Sequence, residues 1–167
     1  MTKKQHPDCK VVFIGPCAAK KLEASRKSVR SDIDFVLTFE EMMGIFDAKN
    51  IEFDKLEVEE PLNTSSSLGK GFAASGGVAA AVVNAINCLE PEREVKTVKA
   101  EGLKECKTML AKAKAGMYDG YLLEGMACPG GCMGGAGVLA DVRKATMGLE
   151  QQKKTSTFEK PSRSDYL

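Results

Sequence analysis

Two cysteines, Cys128 and Cys132, lie four positions apart in the glycine-rich stretch EGMACPGGCMGGAG. Gly130 and Gly131 lie between them and remove side-chain bulk, so the backbone can wrap closely round a bound group and direct N–H groups at an anion. Thiolates select zinc, copper(I) or iron–sulfur clusters. A C-x3-C spacing is less usual than C-x2-C for structural zinc. The stretch predicts a metal or cluster site, with a redox dithiol as the alternative.

A third cysteine, Cys17, directly follows a Gly-Pro pair, in GPCAAKKLEA. Three thiols are one fewer than a tetrahedral zinc or an iron–sulfur cubane needs. His6 is the one histidine of the chain. It lies in the N-terminal segment, and we do not expect it to be a ligand. The fourth ligand therefore comes from a partner, or this chain is part of something larger.

Lys20 and Glu23 follow Cys17 in the same stretch. A helix that begins near Ala18 places both side chains on one face of its first two turns. An ordinary solvated helix face accounts for the pair. A lysine at the mouth of a thiolate site also offsets negative charge or donates a hydrogen bond to an anionic ligand. The residues alone leave both interpretations open.

The other three cysteines have simpler interpretations. Cys88 and Cys106 lie among apolar residues of helical pattern and are predicted to be small buried core residues. Cys9 lies in a polar N-terminal segment and is predicted to be an incidental thiol. The six cysteines do not form the pattern of a secreted disulfide framework, which belongs mostly to small, loop-rich chains.

The composition indicates a globular chain without an evident nucleic-acid or membrane partner. Its 167 residues suit a single domain, 1–167, with a loose N-terminal segment over about 1–10 and a polar tail over about 153–167. Charged residues make up 28% and the net charge is +1, which gives no electrostatic reason to bind nucleic acid. No apolar run approaches the roughly 20 residues of a membrane helix. No signal peptide is evident, so a cytoplasmic location is expected.

Short apolar runs alternate with helical patterns along the chain. Strands are predicted at Val11–Gly15, Asp34–Thr38, 95–102 and 118–125. Helices are predicted at 18–28, 39–49, 75–90, 103–116 and 138–152, with 50–71 undecided between strand and loop. Thr38 and Glu41 form a capping-box pattern for the second helix.

This alternation predicts an α/β fold, a four-stranded, mostly parallel twisted sheet flanked by helices. In such folds ligands bind at the carboxyl ends of the strands. Cys17 follows the first strand, and Cys128 and Cys132 follow the fourth. We therefore expect the three cysteines to converge at one edge of the sheet.

Three stretches resemble the iron-only, or [FeFe], hydrogenases: FIGPCAAKKLEA, FAASGGVAAAV and EGMACPGGCMGGAG. The first and last are similar to the second and third motifs of that family. The third motif is highly specific, whereas the second is shared with cytosolic iron–sulfur assembly relatives. The resemblance runs from about Asp8 to the tail.

The resemblance implies the H-cluster as cofactor, a [4Fe–4S] cubane joined through a cysteine sulfur to a two-iron centre that carries CO and cyanide. It implies that Cys17 and Cys128 ligate the cubane and that Cys132 ligates it and bridges to the two-iron unit. Lys20 would hydrogen-bond a cyanide, and Met126 would pack beside the iron ligands. The implied activity is the reversible oxidation of dihydrogen in anaerobic hydrogen metabolism, with a redox partner such as ferredoxin.

Two departures from the family pattern qualify this expectation. The first motif, of Thr-Ser-Cys-Cys-Pro type, is missing, and it carries the fourth cubane ligand and the proton-relaying cysteine. The chain is therefore expected to be the C-terminal lobe of a two-lobe domain, inactive alone, without an H-cluster, and inclined to dimerise. Gly15 replaces a usual methionine. The alternatives are a non-catalytic cluster scaffold, a hydrogen-sensing homologue or a zinc-binding module.

Overall fold

The computed structural model describes residues 2–29, 32–57 and 65–159. They form two compact units. The first unit comprises 2–29, 32–57 and 135–140, and the second comprises 65–134 and 141–159. The assignment of 1–167 to a single domain stays a prediction.

The first unit contains a parallel pair of three-residue strands with helices between and after them. Its described elements are α1 (Thr2–Gln5), β1 (Val12–Ile14), α2 (Ala18–Ser25), a 3-10 turn (Lys27–Val29), β2 (Phe35–Leu37), α3 (Phe39–Ala48) and a second 3-10 turn (Phe53–Lys55). Phe13 lies opposite Val36 in the register of the strands. The predicted capping box is present, because the Thr38 hydroxyl accepts the Glu41 N–H and the Glu41 carboxylate accepts the Thr38 N–H.

The second unit is built on a longer parallel pair. Its described elements are α4 (Ser67–Gly71), α5 (Gly77–Leu89), β3 (Lys96–Glu101), α6 (Leu103–Lys114), β4 (Tyr121–Met126), a 3-10 turn (Gly131–Gly134) and α7 (Val142–Lys154). β3 and β4 pair over their whole length, with Glu101 opposite Met126 at the carboxyl end. Ala79, Ala100 and Met109 form part of its buried core.

The prediction of an α/β fold with parallel strands is confirmed, and all four strands lie where the apolar runs placed them. The single four-stranded sheet is not what the described residues form, since β1 pairs with β2 in one sheet and β3 with β4 in another. Apolar periodicity identifies strands but carries no information about their neighbours. The two-plus-two arrangement could not be read from it.

Two helices begin later than predicted, each because a different group caps it. α5 begins at Gly77 and not at Ser75, since the Glu124 carboxylate accepts the N–H groups of Gly76 and Ala79. α7 begins at Val142, where the Asp141 carboxylate accepts the N–H groups of the following turn. Residues 138–140, predicted as the start of that helix, belong to the first unit instead, together with 135–137.

The undecided segment and the two chain ends contain more structure than the sequence indicates. Within 50–71 the structure forms the 3-10 turn and α4, while 58–64 lie outside the described residues. At the polar tail, the Phe158 and Glu159 carbonyls accept the N–H groups of Ser67 and Leu68, which begin α4. Residues 160–167 of that tail also lie outside the described residues.

One face of the β1–β2 sheet is apolar and open. Val12 and Phe35 are paired on it and are 45% and 58% exposed, and Ile14 on the same face is 48% exposed. Val36, on the opposite face, is buried. Because parallel strands are normally covered on both faces, this sheet has a surface suited to a further packing partner.

Among the described helices, none combines the length and the apolar character that crossing a membrane requires. The expected cytoplasmic location stays a prediction.

The N-terminal segment, predicted to be loose, is anchored by a carboxylate. Asp34 accepts the Val11 N–H at 2.8 Å and forms an ion pair with Lys3 at 2.9 Å. The Val11 hydrogen bond, followed by the Lys3 interaction, holds the pKa of Asp34 below its ordinary value of 3.8. A lowered pKa stabilises the fold above pH 3.8, and this contribution is lost as the pH falls through the lowered value.

We therefore predict that Asp34→Asn lowers the unfolding midpoint at pH 6 and that its difference from the parent chain narrows as the pH approaches 3. Urea unfolding followed by circular dichroism between pH 3 and pH 6 measures this. Asp47→Asn, which removes the same charge from an exposed position of α3, is the control and should change little at either pH. A constant gap between Asp34→Asn and the parent chain would contradict the prediction.

Candidate functional site

The cysteine loop of the second unit begins directly after β4 and turns sharply at Pro129 and Gly130. The Gly131 N–H donates to the Cys128 carbonyl at 3.1 Å, which closes a four-residue turn. Gly130 has a φ of +79° at the third position of this turn. Proline second and a left-handed glycine third are the signature of a type II turn. The CPGG sequence thus sets the path of the chain between the two cysteines.

Three successive N–H groups in this loop are bonded to the chain itself. The Gly130 N–H donates to Glu101 Oε2 at 2.7 Å, the Gly131 N–H closes the turn, and the Cys132 N–H donates to the Ala73 carbonyl at 2.8 Å. The expectation that the glycines direct these N–H groups at a bound anion is therefore wrong for these three. The Glu101 carboxylate and the backbone carbonyls of Cys128 and Ala73 accept these N–H groups instead.

Gly131 lies so close to other backbone that no side chain fits there. A Cβ at this position would be 2.7 Å from the Ala73 carbonyl oxygen, 2.8 Å from the Ser75 nitrogen and 3.0 Å from Met126 Sδ. Its φ of +69° is also left-handed. The same contacts show that the Met126 thioether lies against the loop, beside the segment that joins α4 to α5.

Glu101 is a polar residue of this region that the sequence analysis missed. It is the last residue of β3, and its pKa is lowered by the Gly130 N–H first, then by the Ser75 hydroxyl, with a smaller effect of Lys99. The rule that functional groups follow parallel strands at their carboxyl ends could have found it. We applied that rule to the cysteines alone.

Glu124 is a second missed residue. Its side chain is buried, and it accepts the Gly76 N–H at 2.7 Å and the Ala79 N–H at 2.6 Å. A carboxylate is favourable at a helix N-terminus because the first N–H groups have no partner within the helix. Glu124 thus fixes the start of α5 next to the loop.

The cysteines predicted to be structural differ in position. Cys106 is partly buried, and its Sγ lies 3.6 Å from the Met126 carbonyl oxygen and 3.7 Å from that of Ala100, which fits a packing role. Cys88 is exposed on α5, so its assignment to the core is wrong. It lies at the last turn of that helix, where apolar periodicity no longer implies burial.

Cys17 lies in the first unit, at the N-cap of α2 and three positions after the end of β1. Its side chain does not cap the helix. The preceding residue, Pro16, accepts the Gly137 N–H at 2.9 Å, and the Gly15 N–H donates to the Leu37 carbonyl at 3.0 Å. Backbone contacts on both sides therefore hold the Cys17 segment at the carboxyl end of its sheet.

Lys20 and Glu23 share a face of α2, as their spacing predicts. Lys20 Nζ donates to Glu23 Oε2, and the two side chains are about 40% exposed. An ion pair at this exposure contributes little to stability, roughly 0–1 kcal/mol. Since an ammonium group has three donor hydrogens, the contact leaves Lys20 able to donate to a further acceptor.

The three cysteines Cys17, Cys128 and Cys132 fit the ligand requirement of an iron–sulfur group in part. Cys128 and Cys132 flank a turn free of side-chain bulk, and Cys17 occupies a matching position after the first strand. Within the described ranges, no three His, Cys, Asp or Glu side chains come together as a metal site would require. The convergence of the three cysteines stays a prediction, and a complete ligand set needs a contribution from elsewhere.

We predict that Gly131→Ala destabilises the chain by at least about 2 kcal/mol, since it combines left-handed strain with overpacking against backbone. The control is Gly148→Ala on α7, where nothing lies within 4 Å of the added Cβ. It should stabilise the chain by about 0.5–1 kcal/mol. Urea unfolding of both variants measures the difference. Equal midpoints would show that the Ala73 contact is not maintained in solution.

Curated proteins similar to this chain include a hydrogenase subunit and an iron–sulfur cluster assembly factor. The NADP-reducing hydrogenase subunit HndD of Solidesulfovibrio fructosivorans is 30% identical, over 76% of this chain and 27% of that protein. A probable cytosolic Fe-S cluster assembly factor of Culex quinquefasciatus is 28% identical, over 92% of this chain and 40% of that protein. The chain thus spans well under half the length of these relatives.

The fold is that of a solved [FeFe]-hydrogenase from Chlamydomonas reinhardtii. The two superpose with a TM-score of 0.67 over 98% of this chain and 59% of the other, at 21% identity. The family profile described as "Iron only hydrogenase large subunit, C-terminal domain" matches residues 1–136, which include all three motif cysteines. The chain therefore belongs to the iron-only hydrogenase large subunit, C-terminal domain family.

Proposed function

We propose that this chain is the C-terminal, cluster-binding part of an [FeFe]-hydrogenase-like oxidoreductase that interconverts dihydrogen with protons and electrons. The cysteine loop is the observation that carries the proposal. The loop carries two thiols, one on each side of a turn made by Pro129 and Gly130, and it follows the carboxyl end of a parallel strand. The family match includes both cysteine motifs. The catalytic activity belongs to the longer parent protein, and the isolated chain is inactive.

Cys17, Cys128 and Cys132 are the proposed cluster ligands, and Cys132 would also help to hold the two-iron unit. Thiolates are the usual ligands of such clusters. The family match over residues 1–136 includes both cysteine segments, which supports a common role for them.

Lys20 and Met126 have the proposed roles of orienting and enclosing the group. The Lys20 ammonium, in contact with Glu23, would donate a hydrogen bond to a cyanide ligand of the bound group. The Met126 thioether, which lies against Gly131, would pack beside the bound group and help to exclude water from it. When bound, the H-cluster supplies the metal centre at which protons and electrons are exchanged with dihydrogen.

A second lobe is the proposed partner that completes the site and supplies the fourth cysteine. The open apolar face of β1–β2, with Val12, Ile14 and Phe35, offers it a surface. The relatives are long enough to contain such a lobe, since this chain covers only 27% of HndD. Without it, we expect two copies of the chain to associate through the same face. A ferredoxin-like protein is the proposed electron partner, and the cytoplasm the proposed location.

A cluster scaffold or a hydrogen sensor without turnover is the second candidate. It is favoured by the similarity to the Culex assembly factor over 92% of this chain, and by Gly15 at a position where the hydrogenase motif has methionine. Lys20 favours the hydrogenase, since a cubane alone carries no cyanide to bind.

We predict that the chain, reconstituted anaerobically with iron, sulfide and an exogenous thiol, holds a labile cluster. Cys17→Ser, Cys128→Ser and Cys132→Ser should each lower the iron and sulfide content, because each removes a ligand. Cys88→Ser, at an exposed position of α5, is the matched control and should retain the parent's content. Iron and sulfide per chain are measured after desalting.

Equal iron in all four variants would refute the assignment of these cysteines. Zinc in the aerobically purified chain would not support a zinc module by itself, because thiolates that lack their cluster readily take zinc. A cluster that is lost equally in Cys17→Ser and Cys128→Ser supports one site built from both segments.

A further inference from the structure

Three anchors hold the cysteine loop of the second unit, and only one of them is a side chain. The Met126 carbonyl, just before the loop, accepts the Gly102 N–H at 2.8 Å. The Cys132 N–H, at its end, donates to the Ala73 carbonyl. The Gly130 N–H, midway between the cysteines, donates to the carboxylate of Glu101.

The Glu101 anchor is specific to the turn. Its carboxylate oxygen lies 2.7 Å from the Gly130 nitrogen, although the two residues are 29 positions apart in the chain. The backbone of Glu101 is itself fixed, since it closes β3 opposite Met126 and donates its N–H to Glu105 Oε2 at 3.2 Å. The Glu101 carboxylate is thus an acceptor on a fixed backbone, and it accepts the N–H of Gly130, between Cys128 and Cys132.

Loss of this acceptor would leave the middle of the turn with its own Gly131 hydrogen bond, between the Met126 and Cys132 anchors at the two ends of the loop. A short glycine-containing turn with one internal bond has more accessible conformations than one tied to a strand. The two thiols would then have to be brought together at the expense of binding free energy. Groups that orient metal ligands from outside typically contribute 10–100-fold in affinity.

We propose that Glu101 is a positioning residue that holds the Pro129–Gly130 turn so that Cys128 and Cys132 are presented together to an iron–sulfur cluster. The inference rests on the proposed function and extends it from the ligands to the residue that orders them. It assigns the role to the hydrogen-bond acceptor of the side chain.

The test compares two uncharged replacements of similar length in the anaerobically reconstituted chain. Glu101→Gln keeps an oxygen acceptor for the Gly130 N–H, whereas Glu101→Met does not. Iron release to a chelator should be about 10–100-fold faster for Glu101→Met. For Glu101→Gln it should stay within about twofold of the parent chain, because the retained acceptor restores the anchor. Circular dichroism and urea unfolding verify the fold of each variant.

Glu90→Met is the matched control. Glu90, at the end of α5, is exposed, and its carboxylate forms an ion pair with Arg93 at 3.1 Å. This variant should release iron at the parent rate. Equal acceleration in Glu101→Met and Glu90→Met, unchanged release in Glu101→Met, or acceleration in Glu101→Gln equal to that in Glu101→Met would each overturn the proposal.

Three further cases are also decided by these variants. If Glu101→Met does not fold, Glu101→Asp replaces it, because the shorter side chain withdraws the acceptor from Gly130 while keeping the charge, and the same acceleration is expected. If Cys128→Ser and Cys132→Ser retain the parent's iron, the proposed function fails and this inference with it. If those two variants lose iron and Glu101→Met does not, only the positioning role fails.

Discussion

The close approach of Gly131 to the Ala73 carbonyl is the constraint around which the second unit is arranged. It brings the cysteine loop, which follows β4, against the connection between α4 and α5. That connection cannot move away, because Glu124 on β4 binds the N–H groups that begin α5. The strand β4 therefore fixes both sides of this contact. Its Glu124 carboxylate holds the start of α5, and the loop that follows β4 carries Gly131. A residue larger than glycine at position 131 would have to separate them.

The sequence predicts the elements of this chain far better than their partners. Strands and helices follow from local periodicity, and the Thr38 capping box is read from two residues three positions apart. The two sheets, the start of α5 and the place of 135–140 depend on contacts between distant segments. The sequence places the start of this helix at Ser75, but in the fold it begins at Gly77, where Glu124, more than 40 positions away, accepts its first N–H groups. Local propensity cannot show such a replacement.

The same contrast holds for the candidate site, where the cysteines can be identified from the sequence and Glu101 cannot. Cys17, Cys128 and Cys132 are found from residue type, spacing and motif, because ligand chemistry depends on residues that are rare and recognisable. Glu101 was missed because an isolated glutamate at the end of a strand resembles many surface carboxylates. Its role is visible only once the Gly130 N–H is seen to point at it. Residues that orient ligands carry no signature of their own, and structure is needed to find them.

Both cysteine segments are held by backbone groups rather than by packed side chains. In the first unit the contacts are Gly15 to Leu37 and Gly137 to Pro16, and in the second they are Gly102 to Met126 and Cys132 to Ala73. None of these hydrogen bonds uses a thiol. A site of this kind keeps its shape when a thiol gains or loses a metal, because the metal is not needed to satisfy the backbone. The carboxylate of Glu101 is the exception in this scheme, and it accepts the N–H of Gly130, which lies between the proposed ligands Cys128 and Cys132. A substitution of Glu101 therefore removes its anchor directly, whereas the backbone contacts are lost only when a substitution displaces the chain.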